Sequence, residues 1–361
     1  MKTIVTIVGI RPDLIRMAFV FKKLDKYFNH IMIHTGQHYD KNLSDVFYDE
    51  LGIRAPDYTL NTGRECTNHW EQLSYLSREI PKLLKEKSIN PDLILFLGDS
   101  NTAAVSLPLR KEGYRIGHIE AGMRSYDKRM LEEINRTVCD ICSHILFVYH
   151  EDYKKFLEKE NIIENVYIVG NTIVEPMKYI SEKMTMNPKK NSHILLDIHR
   201  PENTKYPLRI KRILDFARKS SLRYSLPVKL LYFKRLKDTI DENLLSLEGI
   251  EMIPLMSFTE YTQSVYDSRF IISDSGTGQE EPCLLSTPVI VPRDFTERPQ
   301  SFTGNCSLQY YVEKEKCDEE VFDWIEGLES GRLQRDISWL GDGNTSQHII
   351  DIIQEYLEKI N

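Results

Sequence analysis

The chain has 361 residues, of which 41% are hydrophobic and 28% charged, an ordinary globular composition with enough apolar mass for two separate cores. A formal net charge of -7 leaves no overall electrostatic footprint for nucleic acid, so none is expected as a partner. No run approaches the ~18 apolar residues that span a membrane, and the opening MKTIVTIVGIRPD turns polar after a few residues, which reads as a first strand and not a signal peptide. The expected location is the cytosol, with thiols reduced.

In chain order, short β-branched runs alternate with longer helical stretches. Strands are expected at Thr3–Val8, Ile31–His34, Leu93–Leu97, Arg115–Ile119, Ile145–Val148 and Val166–Val169. A second set follows at Ile194–Ile198, Val228–Tyr232, Ile250–Ile253, Phe270–Ser273 and Val289–Val291. Apolar strands separated by helices argue for a parallel sheet covered on both faces, and two sets argue for two doubly wound α/β domains. The expected domains are 1–172 and 173–344, divided near the polar segment MTMNPKKNS. The last stretch, Thr345–Ile360, reads as an amphipathic helix with Ile349, Ile350, Ile353 and Tyr356 along one side, and 345–361 is expected to pack back on the first domain. Of the six cysteines, Cys139 and Cys142 form a CxxC, but it lies in a helical pattern with no second pair, so no metal is expected there.

Polar or glycine-bearing residues stand just after the strands: Gly9-Ile10-Arg11, Thr35-Gly36-Gln37-His38, Gly98-Asp99-Ser100, Glu120-Ala121-Gly122, His199-Arg200 and Asp274-Ser275-Gly276. Open parallel sheets bind ligands beyond the carboxyl ends of their strands, and two such ends facing one another would form a cleft of nucleotide size. Small residues from Asp274 to Gly278 suit a phosphate at the start of a helix; an ordinary turn capped by Asp274 or Ser275 is equally compatible. Arg11, before Pro12, and Arg298 have the bidentate fork that suits a diphosphate, or each is a surface salt-bridge partner. Asp99, Glu120 and Glu132 are acids at strand ends or a helix start. Glu132 and Arg136 share a helical face. His199 follows a strand and is either an acid and phosphate donor or a structural histidine.

In this order, and over nearly the whole chain, these segments resemble the non-hydrolysing UDP-N-acetylglucosamine 2-epimerases. The resemblance rests on Gly9-Ile10-Arg11-Pro12, Thr35 to His38, Gly98-Asp99-Ser100-Asn101, His118 to Arg124, Glu132-Glu133-Ile134-Asn135-Arg136, Gly170-Asn171-Thr172, His199-Arg200-Pro201-Glu202-Asn203, Asp274 to Glu281 and Arg293 to Pro299. It implies two Rossmann-like domains, as in the GT-B glycosyltransferases, and a commonly dimeric enzyme. It also implies inversion at C2 of a UDP-N-acetylhexosamine through loss of UDP, a 2-acetamidoglucal intermediate and re-addition, with no cofactor. Asp99, Glu120 and Glu132 would then be the catalytic carboxylates, with His199 assisting. Arg11, His199, Ser275 and Gly276 would hold the diphosphate and Glu281 the ribose. Tyr261 would stack on uracil, or it is a core aromatic of its helix. Arg16, Gln37, His38, Arg136 and Arg298 complete the expected site.

Departures from the family pattern concern the sugar more than the reaction. Ile10 and Asp13 replace threonine and glutamate in the opening motif, and Arg16 takes the place of a lysine. Leu131 stands where proline precedes the paired glutamates. Asp197 replaces the usual threonine before His199, and Phe233-Lys234 replaces a His-Pro step. The span from Ala121 to Arg136 is two residues shorter than in the plain enzymes and is closer to relatives acting on 6-deoxy or 2,3-diacetamido uronic sugars. The leading expectation is a UDP-N-acetylglucosamine 2-epimerase. The alternatives are a 2-epimerase of a modified UDP-sugar, a GT-B glycosyltransferase, a hydrolysing epimerase and a non-catalytic UDP-sugar sensor.

Overall fold

The computed structural model describes residues 1–36, 47–185, 191–314 and 317–360. The chain divides into two compact units, Met1–Pro176 with Leu340–Asn361, and Met177–Trp339.

In the first unit the strands are β1 Thr3–Val8, β2 Asn29–His34, β3 Tyr58–Thr59, β4 Leu93–Leu97, β5 Ile116–Ile119, β6 Ile145–Val148 and β7 Val166–Ile168. They form a seven-stranded sheet in the order β3-β2-β1-β4-β5-β6-β7, with every neighbouring pair parallel. Strands covered on both faces need apolar side chains at successive positions and not at alternate ones; β4, LILFL, is buried along its whole length. Val5, Ile7, Ile94 and Phe96 face Leu76, Ile80 and Leu84 of the helix His69–Glu86.

The C-terminal helix Thr345–Lys359 belongs to this unit, where it packs on the helix Arg11–Tyr27 and buries Ile349, Ile350, Ile353, Tyr356 and Leu357. Its start is fixed by Glu175, whose carboxylate accepts from Ser346 N at 2.8 Å and Ser346 Oγ at 2.6 Å.

The second unit has β8 His193–Asp197, β9 Val228–Leu231, β10 Ile250–Ile253, β11 Ser268–Ser273, β12 Val289–Val291 and β13 Ser307–Gln309. They form a parallel sheet in the order β10-β9-β8-β11-β12-β13. Its core joins Ile194, Leu196, Leu230, Phe270 and Ile272 to Phe216 and Phe322 on the flanking helices. In both sheets the chain reverses its direction of travel beside the first strand, between β1 and β4 and between β8 and β11. That reversal parts the flanking loops and opens a crevice at the strand ends.

The strands expected from the sequence are present to within two residues at each end. Two short edge strands, β3 and β13, were not expected; one has two residues and the other three, too few to show a pattern. One local expectation is corrected. The segment after Gly276 is not the start of a regular helix but a 3-10 turn, Thr277–Gln279, followed by the four-residue helix Glu281–Leu284. Pro282 lacks an N–H and its ring blocks regular continuation from the 3-10 turn. Among the described residues no helix is long and apolar enough to cross a membrane.

Candidate active site

The reversal in the first unit brings the turn after β1 beside the ends of β4 and β5. Asp13, in the first turn of the helix Arg11–Tyr27, reaches back and accepts from Gly9 N at 2.9 Å and Ile10 N at 3.2 Å. It thereby satisfies the N–H of the N-cap residue Ile10, as in a capping box, and that of Gly9 before it. Burial pushes the Asp13 carboxyl up to about 7, against those two backbone donors and with the charges of Asp99 and Glu120 adding to it. Arg11 stands half-buried at the start of this helix, with its guanidinium 5.7 Å from the centre of the Phe47 ring.

Arg16, one turn further on, is buried and donates from Nη1 to Glu120 Oε2 at 2.9 Å. Glu120 follows β5 with φ +71, a left-handed conformation unusual for a residue with a side chain. Backbone strain of this kind costs on the order of 1–3 kcal/mol and persists where surrounding contacts over-determine it. Here the Arg16 pair is one such contact.

Asp99, at the end of β4, is paired with the fully buried Arg136. Arg136 also reaches Glu133 at 3.1 Å, and Asn135 Nδ2 donates to the Asp99 carbonyl at 3.0 Å. The helix Leu131–Cys142 therefore supports the β4 turn through Asn135 and Arg136 together. Glu133 in turn holds the preceding loop, accepting from Ser125 N at 3.1 Å and Tyr126 N at 2.9 Å. Glu132 lies half-buried on the first turn of the same helix.

Beneath these turns lies a buried charge chain that the sequence motifs do not assign. His118 Nδ1 is 2.6 Å from Asp140 Oδ1, and Nε2 is 2.7 Å from the Gly98 carbonyl oxygen. An ionised carboxylate and a carbonyl only accept, so both ring nitrogens donate and the ring is a cation. Burial opposes that charge, but Cys139 and Asp140 outweigh it and hold the His118 pKa well above its ordinary value. Asp140 also accepts from Gly122 N at 3.2 Å and pairs with Arg124 at 2.8 Å. One dyad thus ties the Gly98-Asp99 turn to the Glu120-Ala121-Gly122 turn. The clue in the sequence is a histidine inside an apolar strand and an aspartate inside an apolar helix face.

In the second unit the equivalent reversal joins the ends of β8 and β11. Asp274 is fully buried and turns towards β8: it accepts from His199 N at 2.9 Å, Arg200 N at 3.1 Å and Asn203 Nδ2 at 3.0 Å. It therefore does not cap the turn that follows it. Ser275 Oγ lies 3.2 Å from Thr277 Oγ1. His199 Nδ1 is 2.9 Å from Asp197 Oδ1, and its ring packs against Phe233 with centres 4.9 Å apart. Tyr261, on the helix Phe258–Asp267, donates its hydroxyl to Asp197 Oδ2 at 3.1 Å.

Arg298 is no surface residue. It is buried between Glu280, at 2.8 Å from its Nε, and Glu297. A methyl group on Gly276 would stand 2.8 Å from Arg298 Nη1 and 3.0 Å from Glu297 Oε1. Only glycine fits there while the arginine keeps its two carboxylates. Glu281 is buried at the start of its short helix. The structure therefore groups Arg11, Arg16, Asp99, Glu120, Glu132 and Arg136 in one unit. It groups His199, Tyr261, Ser275, Gly276, Glu281 and Arg298 in the other. Gln37 and His38 lie outside the described residues.

Comparison with known proteins places the chain in a family. Residues 22–354 match the sequence model of the family described as UDP-N-acetylglucosamine 2-epimerase. A UDP-N-acetylglucosamine 2-epimerase of Methanococcus maripaludis is 34% identical over 374 residues, covering 96% of this chain and 97% of that one. A UDP-2,3-diacetamido-2,3-dideoxy-D-glucuronate 2-epimerase of Pseudomonas aeruginosa is 30% identical, covering 99% of each. The crystal structure of Methanocaldococcus jannaschii UDP-GlcNAc 2-epimerase in complex with UDP-GlcNAc and UDP superimposes with a TM-score of 0.85 at 29% identity, covering 98% of this chain and 99% of that one. The fold is GT-B-like, and the chain belongs to the UDP-N-acetylglucosamine 2-epimerase family.

Proposed function

We propose that the protein inverts C2 of a UDP-linked N-acetylhexosamine, interconverting UDP-N-acetylglucosamine and UDP-N-acetylmannosamine. The observation that carries this reading is the pair of adjacent strand ends, β4 and β5, each closing on a carboxylate held by a buried arginine: Asp99 with Arg136 and Glu120 with Arg16. A C2–H is a poor acid. Its removal needs a positioned base and a stabilised leaving group, and a new hydrogen on the opposite face needs a second proton carrier.

The step balances without a redox cofactor. One carboxylate takes the C2 proton, the C–H electron pair forms C1=C2, and the C1–O pair leaves on the UDP phosphate oxygen. A second carboxylic acid protonates the other face of C2 as that oxygen re-adds to C1. Asp99, Glu120 and Glu132 are the candidate carriers. Arg11, His199, Ser275 and Gly276 serve the diphosphate, Glu281 the ribose and Tyr261 the uracil, while Arg16 holds Glu120 and Arg298 backs the Gly276 turn between Glu280 and Glu297. Arg136 holds Asp99, and Gln37 and His38 complete the set. The protein would work as a cytoplasmic homodimer, an assembly that light scattering in solution tests directly.

A modified sugar is the second reading, favoured by the Pseudomonas aeruginosa relative with its diacetamido uronate substrate and by the short loop after Arg124. Incubating a panel of UDP-sugars with the protein in deuterated water, followed by NMR, tests both. Deuterium at C2 with inverted configuration is expected, and the substrate that exchanges fastest names the sugar. A protein that exchanges no C2 hydrogen on any member is not a 2-epimerase, and transfer of the sugar to an acceptor would make it a glycosyltransferase.

A further inference from the structure

The second unit ends its central strand β8 on a buried acid that the proposed reaction does not use. Asp197 ends β8, almost fully buried, and makes three contacts: His199 Nδ1 at 2.9 Å, the Tyr261 hydroxyl at 3.1 Å and Ser273 Oγ at 3.4 Å. Two of these groups donate to Oδ2, so that oxygen is fixed and Oδ1 is left for the imidazole. The other side of the His199 ring lies against Phe233, which offers neither a donor nor an acceptor. The ring is thus clamped by its Nδ1 edge and one face, while about a third of its side chain remains open to solvent.

We propose that Asp197 is a positioning residue: it accepts the Nδ1–H of His199, keeps that ring doubly protonated, and leaves Nε2–H as a fixed, charged donor for the pyrophosphate of a UDP-sugar. A carboxylate on one imidazole nitrogen orients the other and favours the charged ring. Threonine at position 197 would supply at most a neutral hydroxyl, and the ring would then lose its proton near its ordinary pKa. Here burial of the imidazole works against the charge, and Asp197, with Asp274 behind it at 3.6 Å, overcomes that and raises the His199 pKa. The charge of Arg200 opposes them. Tyr261 stays protonated as the donor to Asp197, because burial, Asp197 and Glu281 together push its phenol well above 10. The consequence is a diphosphate grip that persists to higher pH than an imidazole without that carboxylate would give, and a Tyr261 ring tied to the same carboxylate that sets the histidine.

This inference deepens the epimerase reading and rests on its nucleotide part. Its test uses UDP itself as the probe and the full chain. UDP affinity is measured by calorimetry from pH 5.5 to 9 for wild type, Asp197→Asn and Asp197→Thr. The His199 imidazole is followed in parallel by NMR, with His199→Gln assigning its signal. Wild type should hold its UDP affinity to a pH at least about one unit higher than either variant, an affinity difference of about tenfold at the upper end. At pH 5.5, where solvent protonates the ring in all three, affinities should agree within about twofold. The titration of UDP is common to all and cancels.

Equal alkaline limbs in wild type and both variants overturn the proposal. So does a loss of UDP binding in the variants that is as large at pH 5.5 as at pH 8, since that marks a structural role. A wild type that shows the Asp197-dependent limb but exchanges no C2 hydrogen sinks the epimerase reading alone.

Discussion

The two units put acids at the same place, the end of a central parallel strand, and use them in opposite ways. In the first unit the strand-end carboxylates of Asp99 and Glu120 are each met by a buried arginine side chain. In the second, Asp274 spends both oxygens on the backbone of His199 and Arg200 and on Asn203. An acid paired with another side chain can move with it and exchange a proton. An acid that holds three donors cannot give up its charge without breaking the turn it organises. The comparison teaches that burial and position do not separate a reactive carboxylate from a structural one; the partners do.

The largest effect should come from breaking the first unit's half of the contrast. Asp99→Asn and Glu120→Gln keep shape and remove the proton carrier, and each should lower kcat by at least about 10²-fold, the scale of general acid–base catalysis. UDP affinity should change little for Asp99→Asn, and because Arg136 keeps its pair with Glu133 at 3.1 Å the unfolding midpoint should fall less than in Glu120→Gln. Glu120→Gln should also cost stability, because it leaves Arg16 buried without its carboxylate. Steady-state kinetics beside urea unfolding separates the two. Full activity in both variants would remove these acids from the chemistry.

How far this contrast is legible in the sequence follows from which interactions are local. The strand runs and their polar ends can be read because a parallel strand covered on both faces needs consecutive apolar residues, and β1 and β4 coincide with the expected ranges residue for residue. The motif residues lie where those strands end. What cannot be read is pairing across distance. Spacing makes Arg136 a helical neighbour of Glu132, yet it reaches Asp99, 37 positions away. The sequence leaves Arg298 as either a phosphate ligand or a surface partner, yet it is buried against Glu280 and Glu297. Asp274 reads as a cap for its own turn, yet it serves residues 74 and 75 positions earlier. Spacing rules describe neighbours on one helix or strand, and these contacts are set by which strands lie side by side.

The second unit's half of the contrast is tested by stability. Asp274→Ala removes the acceptor of two part-buried backbone N–H groups, those of His199 and Arg200, and of one Asn203 Nδ2 hydrogen, while Asn203 keeps its bond to the Pro292 carbonyl. Each such group costs about 1–3 kcal/mol, so a loss of about 3–5 kcal/mol in urea unfolding is expected, large beside the total stability of a domain. A loss below about 1 kcal/mol would mean that the β8 turn is held by something other than Asp274, and the distinction drawn between the two units would fail.

Asp13 sharpens the comparison, because it sits in the first unit yet is held as Asp274 is, by backbone N–H groups, here those of Gly9 and Ile10. What sets it apart is that burial, with Asp99 and Glu120 nearby, lifts its carboxyl to about 7. An acid whose folded pKa exceeds its unfolded value favours the fold in its neutral form. That contribution is fully present below the unfolded pKa, near 3.8, and is lost as pH rises through about 7. A rise of that size corresponds to about 4 kcal/mol at most. Asp13→Asn keeps an oxygen for the two backbone donors and cannot ionise. Relative to wild type it should therefore be more stable at pH 8 by about 1–3 kcal/mol and show little advantage at pH 4, read as the difference between two urea-unfolding series. Because the difference isolates Asp13 from every other titrating group, its sign decides the matter. A variant less stable at pH 8 by the same margin would show that the Asp13 carboxylate is charged in the fold and that its backbone donors outweigh burial.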